Sequence, residues 1–257
     1  MDDKIIAIFS GGLDSTTMVY DAISQGFEPD LISFNYGQRH KKELEYASRT
    51  AEHLHLRHDV VDLTGLTHLL AESGSSLVAN VEVPEGHYAE ENMKATVVPN
   101  RNMIMLSIAG GIAVARGAMS VMTGVHAGDH FIYPDCRPAF IGVAAAALVY
   151  GNEGFSNWLK KVDSESAILV PYLESTKADI AYNAIKLKIP FNTTWSCYKG
   201  GEKHCGKCGT CVERLEAIDI ATQRWNTERG DYKYNQVFDN TLYEDPFYWK
   251  SIIAKGV

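Results

Sequence analysis

The stretch Lys4-Ile5-Ile6-Ala7-Ile8-Phe9-Ser10-Gly11-Gly12-Leu13-Asp14-Ser15 decides how the rest of the chain is read. Lys4 to Phe9 is a short apolar run halted by Ser10 and a glycine pair, the pattern of a strand covered on both faces of a parallel sheet. From Ser15 to Gln25, Met18, Val19, Ala22 and Ile23 recur at helical spacing, and Gly26 supplies a stop. Strand, glycine turn and helix in that order make a cradle for an anion. Gly11 and Gly12 let the backbone approach it closely, and the unpaired N–H groups at the helix start face it. Ser10, Ser15, Thr16 and Thr17 add hydroxyls, and Asp14 is suited to hold magnesium between phosphates. No Gly-Lys-Ser/Thr tripeptide occurs, and no Gly-x-Gly-x-x-Gly follows this strand, which excludes the kinase-type loop and the dinucleotide fingerprint.

Outward from this loop the alternation continues. Leu31 to Tyr36 reads as a strand, Lys41 to Leu54 as a helix and His58 to Val61 as a third strand. Met103 to Ala115 reads as an apolar helix, Ser120 to Gly124 as a strand and Thr176 to Lys188 as a helix that Pro190 ends. This order predicts an α/β fold: a doubly wound, Rossmann-like parallel sheet of five or so strands with helices on both faces. Gly65 to Thr96 loses periodicity and is expected to be a functional lid or an ordered excursion. Gly151 to Asp163 is a second irregular stretch, and the tail from Thr222 to Val257, rich in Tyr, Trp and Asn, carries no readable role.

Composition narrows the partners. The 257 residues are 46% hydrophobic and 22% charged, as in globular domains. A net charge of −8 lacks the footprint needed to hold a phosphate backbone, so a small-molecule substrate is expected and a nucleic acid is not. No apolar run is long enough to cross a bilayer and the start has no secretory pattern, so a cytoplasmic location is expected.

Four of the five cysteines, Cys197, Cys205, Cys208 and Cys211, form C-x7-C-x2-C-x2-C. In a reducing compartment such a cluster points to metal. Four thiolates satisfy tetrahedral zinc with no open position, a structural site, and Gly206 and Gly209 relieve crowding in the knuckle. An iron–sulfur cluster would use the same ligands, and a redox C-x-x-C would leave two idle. Cys136 stands alone and is expected to be a buried small hydrophobe. His53, His55 and His58 are expected at the solvated surface. His126 and His130, just beyond the Ser120–Gly124 strand, are better placed for a pocket.

The Ser10-Gly11-Gly12-Leu13-Asp14-Ser15 loop resembles the signature of the N-type ATP pyrophosphatases over roughly residues 4 to 185. That resemblance implies an adenine nucleotide alpha hydrolase-like fold, ATP along Phe9, Ser10, Gly11, Gly12, Leu13, Asp14, Ser15, Thr16, Thr17, Met18 and Val19, and cleavage between the α- and β-phosphates. Phe34-Asn35-Tyr36-Gly37-Gln38-Arg39-His40, Val98-Pro99-Asn100-Arg101-Asn102, Tyr133-Pro134-Asp135-Cys136-Arg137 and Thr194-Trp195-Ser196-Cys197-Tyr198 narrow it further. Together they look like the 7-cyano-7-deazaguanine synthases (QueC) from about residue 4 to 215, although that family commonly has Gly or Ala where Asn100 stands.

The resemblance implies an ATP-dependent ligase of queuosine biosynthesis that converts 7-carboxy-7-deazaguanine and ammonia to the nitrile through an adenylated acid and an adenylated amide, releasing AMP and pyrophosphate. It implies structural zinc, magnesium with ATP, and a homodimer. Asp14, Lys177 and Arg101 are the expected catalytic residues. Asp135 is expected to receive the guanine-like N–H pair, Arg137 or Arg101 to pair with the 7-carboxylate, and Tyr133 to line the substrate site. The expected division is an ATP pyrophosphatase domain over 1–190 and a zinc-binding subdomain with a helical tail over 191–257. Alternatives are a tRNA-thiolating relative, which would need a basic RNA face and a reactive cysteine, and an amide-forming or amide-transferring deazaguanine enzyme. A non-catalytic zinc-knuckle module would have no use for Asp14.

Overall fold

A computed structural model describes residues 3–153, 167–230 and 242–253. Most of the Gly151–Asp163 stretch and much of the tail beyond Thr222 lie outside the described residues. β1 (Lys4–Ile8) leads into α1 (Leu13–Ser24), β2 (Glu28–Asn35), α2 (Lys42–His53) and β3 (His58–Asp62). Short α3 (Thr67–Ala71) and α4 (Glu90–Met93) precede α5 (Arg101–Arg116), β4 (Ser120–Met122) and α6 (Pro138–Gly151). β5 (Ile168–Leu169), α7 (Lys177–Lys186), α8 (Gly209–Arg229) and α9 (Tyr248–Ile253) complete the described elements.

The strands form one parallel sheet in the order β3-β2-β1-β4-β5. Ile5 and Ala7 pack on one face with Met18, Val19, Ala47 and Ile180, while Ile6 packs on the other with Leu106, Ala109 and Leu148. Both faces are covered, which is why Lys4 to Phe9 reads as a continuous apolar run rather than an alternation. Chain order reverses direction between β1 and β4, and in open α/β sheets a crevice opens beyond the strand ends at such a point. Arg101 starts α5 because Asn100 takes the left-handed conformation at φ 58°, one that Asn or Gly adopts far more readily than other residues.

The Gly65–Thr96 region is an ordered excursion. Ser76, Leu77, Val83 and Met93 are buried, and Gly86 N–H donates to the Lys207 carbonyl at 2.9 Å, tying the excursion to the cysteine knuckle. α8 buries Ala217, Ile218 and Ala221 in a core shared with Leu13 of α1 and Ala181, Ala184 and Ile185 of α7. Arg214, 1% exposed, bonds to Tyr243, Thr194, Ser196 and the Phe191 carbonyl, stitching α8 to the loop before the knuckle and to the tail.

Candidate active site

The crevice between β1 and β4 is lined by Phe9, Ser10, Gly12, Leu13, Asp14 and Ser15 on the loop side. Gly11 has φ 78°, and a Cβ there would lie 2.5 Å from the Glu43 carbonyl and 2.6 Å from the Ala47 nitrogen. Only glycine lets the loop lie this close to α2. Gly12 N–H donates to Ser10 Oγ at 3.2 Å, and Ser10 N–H to Ser15 Oγ at 3.2 Å, so the two hydroxyls shape the cradle. Behind it, the Trp195 N–H donates to the Gly11 carbonyl at 2.9 Å. Thr16, Thr17, Met18 and Val19 are buried within α1 and do not line the crevice, and Thr17 Oγ1 donates to the Leu13 carbonyl at 2.8 Å.

Lys177 opens α7 behind the Thr176–Asp179 capping box. Its ammonium donates to Asp14 Oδ2 at 2.5 Å and lies 3.5 Å from Glu213 Oε2. Burial alone would raise the Asp14 carboxyl, but Lys177 with His126 and Arg214 together outweigh it and hold Asp14 below the usual carboxylate range. Burial likewise works against the Lys177 ammonium, and Asp14 and Glu213 more than offset it, leaving Lys177 above the usual range. Asp14 Oδ1 is buried without a partner.

Arg101, at the first position of α5, lines the crevice with Tyr36 and Tyr198, its guanidinium 5.7 Å from the Tyr133 ring centre. Among the described residues it has no carboxylate within ion-pair distance. The structure therefore brings Asp14, Lys177 and Arg101 to one crevice, together with Asp129 in its lining and Glu213 behind Lys177, two carboxylates missing from the sequence reading. Asp129 lies within a turn whose chemistry spacing does not reveal, and Glu213 lies on α8, a helix that periodicity did not mark.

Asp135, Arg137 and Tyr133 do not line the crevice. Asp135 Oδ2 accepts from the Asn102 N–H at 2.9 Å, so its charge is used at the start of α5. Arg137 is exposed and its Nε donates to the His130 carbonyl at 2.9 Å. Tyr133 is buried behind Arg101, its hydroxyl 2.6 Å from Thr96 Oγ1. Of the histidines, His53 and His55 are exposed as expected, but His58 is half-buried, hydrogen-bonded at 2.7 Å to Ser33 Oγ, and burial lowers its pKa. His126 is 2% exposed, and its Nδ1 accepts from the Gly128 N–H at 3.1 Å. Cys136 is buried and accepts from Asn102 Nδ2 at 3.2 Å, and burial pushes its thiol up.

The four remaining sulfurs meet in one cluster. Cys197, Cys205, Cys208 and Cys211 are all buried and unbridged, with every Sγ within 4.8 Å of the others. Cys205 and Cys211 sulfurs stand 3.9 Å apart, close to the ~3.8 Å edge of a tetrahedron with metal–sulfur bonds of about 2.3 Å. Hydrogen bonding within the cluster pulls the Cys205 and Cys208 thiols down and pushes Cys197 up, and burial pushes Cys211 up, so without a metal the four sulfurs share protons unevenly. This donor set fits a metal ion.

The model of the family described as Queuosine biosynthesis protein QueC matches residues 4–222. The chain belongs to the QueC family. It is 48% identical over 252 residues to the 7-cyano-7-deazaguanine synthase of Rhizobium johnstonii, covering 98% of this chain and 97% of that one. With the 7-cyano-7-deazaguanine synthase of Brucella anthropi it shares 46% over 252 residues, covering 98% of each. Membership gives this QueC chain the family's activity, ATP-dependent synthesis of 7-cyano-7-deazaguanine in queuosine biosynthesis. The solved NMN synthetase of Francisella tularensis covers 97% of this chain and 84% of its own at a TM-score of 0.45 and 13% identity, too distant to bear on the site.

Proposed function

We propose that this crevice adenylates the same substrate twice. A carboxylate cannot expel oxide, so ATP first converts one oxygen of 7-carboxy-7-deazaguanine to an acyl adenylate and pyrophosphate leaves. Ammonia displaces AMP and sheds a proton, giving the amide. A second ATP adenylates the amide oxygen, and loss of AMP and the remaining N–H protons gives the nitrile. The observation that carries this reading is the glycine-tight cradle beside the half-buried Asp14–Lys177 pair, facing an arginine with no carboxylate partner among the described residues.

In this reading Ser10, Gly11, Gly12, Leu13 and Ser15 hold pyrophosphate, and Phe9 flanks the nucleotide. Thr16, Thr17, Met18 and Val19 support the loop from inside α1. The buried, unpartnered Asp14 Oδ1 is a suitable magnesium ligand, the metal serving to neutralise phosphate charge. Lys177 offers its ammonium to charge developing on the bridging oxygen, and Arg101 pairs with the 7-carboxylate in a two-point clamp. Tyr133 supports Arg101 from behind. The metal is zinc, a structural ion in a closed site.

A homodimer is proposed through α6. No residue from Pro138 to Gly151 is charged, and Val143 (72% exposed) and Tyr150 (92% exposed) share a helical stripe with Ala139 and Ala146. Ammonia and ATP are the other small-molecule partners. A net charge of −8 argues against RNA, and among the described residues no helix is long and apolar enough to cross a membrane. We keep a cytoplasmic location and the 1–190 and 191–257 division as part of this proposal.

The test is incubation with 7-carboxy-7-deazaguanine, ATP, magnesium and ammonium, following product masses. About two AMP per nitrile, with amide as a transient, supports the reading. ADP as the nucleotide product, or amide as the end point, overturns it.

A further inference from the structure

With Asp135 committed to the Asn102 N–H, no substrate-facing carboxylate yet answers the N–H donors of a deazaguanine ring. We propose that Asp129 receives the N1–H and 2-amino groups of the ring while Arg101 holds the 7-carboxylate at the far end. The assignment rests on the substrate reading above and deepens it.

Arg101 and Asp129 both line the crevice, yet they form no ion pair with each other among the described residues. Both act electrostatically on Tyr133, Tyr198 and Cys136, so they flank one chamber. Opposite charges sharing a partly dry chamber attract strongly, and a flexible pair would close on itself. Here each is held. Tyr88 Oη donates to Asp129 Oδ1 at 2.8 Å, and His126 Nε2 stands 3.7 Å from Oδ2. The Gly128 N–H bonded to His126 Nδ1 leaves the ring proton on Nε2, facing that oxygen. Arg101 is fixed by its place at the start of α5 and by the tyrosines around it.

A cation and a carboxylate, unpaired with each other and lining one crevice with Tyr36 and Tyr198, suit an aromatic heterocycle. The occupant carries an anion on one edge and paired N–H donors on the other. The cyclic guanidine edge presents two parallel donors to the two carboxylate oxygens, a bidentate match. Asp129 has the capacity, since Oδ2 makes no hydrogen bond among the described residues.

The other lining carboxylates are occupied. Glu43 Oε1 already accepts from Gln38 Nε2 at 3.2 Å and faces His40 Nε2 at 3.4 Å, while its backbone carbonyl abuts Gly11. Asp14 is taken by Lys177.

The test compares 7-carboxy-7-deazaguanine with the same acid lacking the 2-amino group. Wild-type enzyme prefers the natural acid in kcat/KM by on the order of 10²-fold, as expected when a charged acceptor loses one of two donors. Asp129→Asn, which keeps the shape but places an amide donor where an acceptor is needed, raises the KM of the natural acid at least ~30-fold and cuts the preference below ~5-fold. Its KM for ATP stays within about twofold. Tyr88→Phe, which frees Oδ1 without touching substrate, moves the preference the same way by less.

The assignment is overturned if Asp129→Asn keeps the wild-type preference while kcat falls or the magnesium or ammonium requirement rises. Equal use of both acids by wild-type enzyme sinks the Asp129 assignment alone. Turnover of neither acid takes the substrate reading down with it.

Discussion

At the scale of single residues, the site depends on one ion pair whose charges reinforce each other. Burial would raise Asp14, but Lys177 with His126 and Arg214 together bring it below its ordinary pKa, and Lys177 sits above its own because Asp14 and Glu213 outweigh its burial. The depressed Asp14 value means its stabilisation is present above the unfolded carboxylate value of about 3.9 and is lost as pH falls through the folded one. The raised Lys177 value means its contribution is complete below about 10.4 and is lost only as pH climbs past that. The stability gap between wild type and Asp14→Asn should stay flat from about pH 5 to 10 and shrink below about 4, as urea titrations at each pH would show. In turnover assays, Asp14→Ala should lose AMP and nitrile together, by at least ~10³-fold, because phosphate neutralisation and the Lys177 anchor go at once. Retention of more than a tenth of the AMP-forming rate would contradict this. Asp14 was legible because Ser-Gly-Gly-x-Asp-Ser is local in sequence, whereas its pairing with Lys177, 163 residues away, was not. Asp129 was not, since its value comes from Tyr88, 41 residues away. Asp135 misled because a carboxylate after proline looks the same in sequence whether it faces a ligand or the start of a helix.

At the scale of elements, the cysteine knuckle holds the floor of the nucleotide loop. Trp195 donates to Gly11 two residues before the first ligand, Cys197, and its ring stacks on His204 at 4.2 Å just before Cys205. Metal removal should therefore weaken ATP binding as well as stability. Chelation, or Cys208→Ser, should release about one zinc per chain, lower Tm by on the order of 10 °C and raise the Kd for ATP several-fold. Elemental analysis and calorimetry check this, and a brown iron chromophore in the purified protein would contradict zinc. The four-cysteine cluster was readable from its C-x7-C-x2-C-x2-C spacing, because metal geometry constrains local sequence. α6 and the full length of α8 were not read. α6 is nearly uniform in hydrophobicity, so no 3.6-residue period emerges, and α8 buries the charged Arg214. β5, only Ile168–Leu169, is too short to signal itself.

At the scale of the whole molecule, the doubly wound parallel sheet followed from alternation and from the right-handed crossover rule, whereas the order β3-β2-β1-β4-β5 was not readable, and its reversal between β1 and β4 locates the crevice. The uncharged outer stripe of α6 is the face expected between two copies. Val143→Glu should shift the sedimenting species from dimer to monomer with little loss of helix, since Val143 is 72% exposed in the single chain. An unchanged sedimentation coefficient would place the contact elsewhere or deny it. α8 shares its core with α1 and α7, so the portions before and after residue 190 should melt in one transition, with calorimetric and van't Hoff enthalpies agreeing.

The central claim is that adenylate lands on substrate oxygen, once for each oxygen lost. It is tested most directly with 7-carboxy-7-deazaguanine carrying ¹⁸O in both carboxylate positions. The account predicts that each of the two AMP molecules formed per nitrile carries one ¹⁸O, with none in pyrophosphate. Label in orthophosphate beside ADP, or AMP free of label, would contradict it.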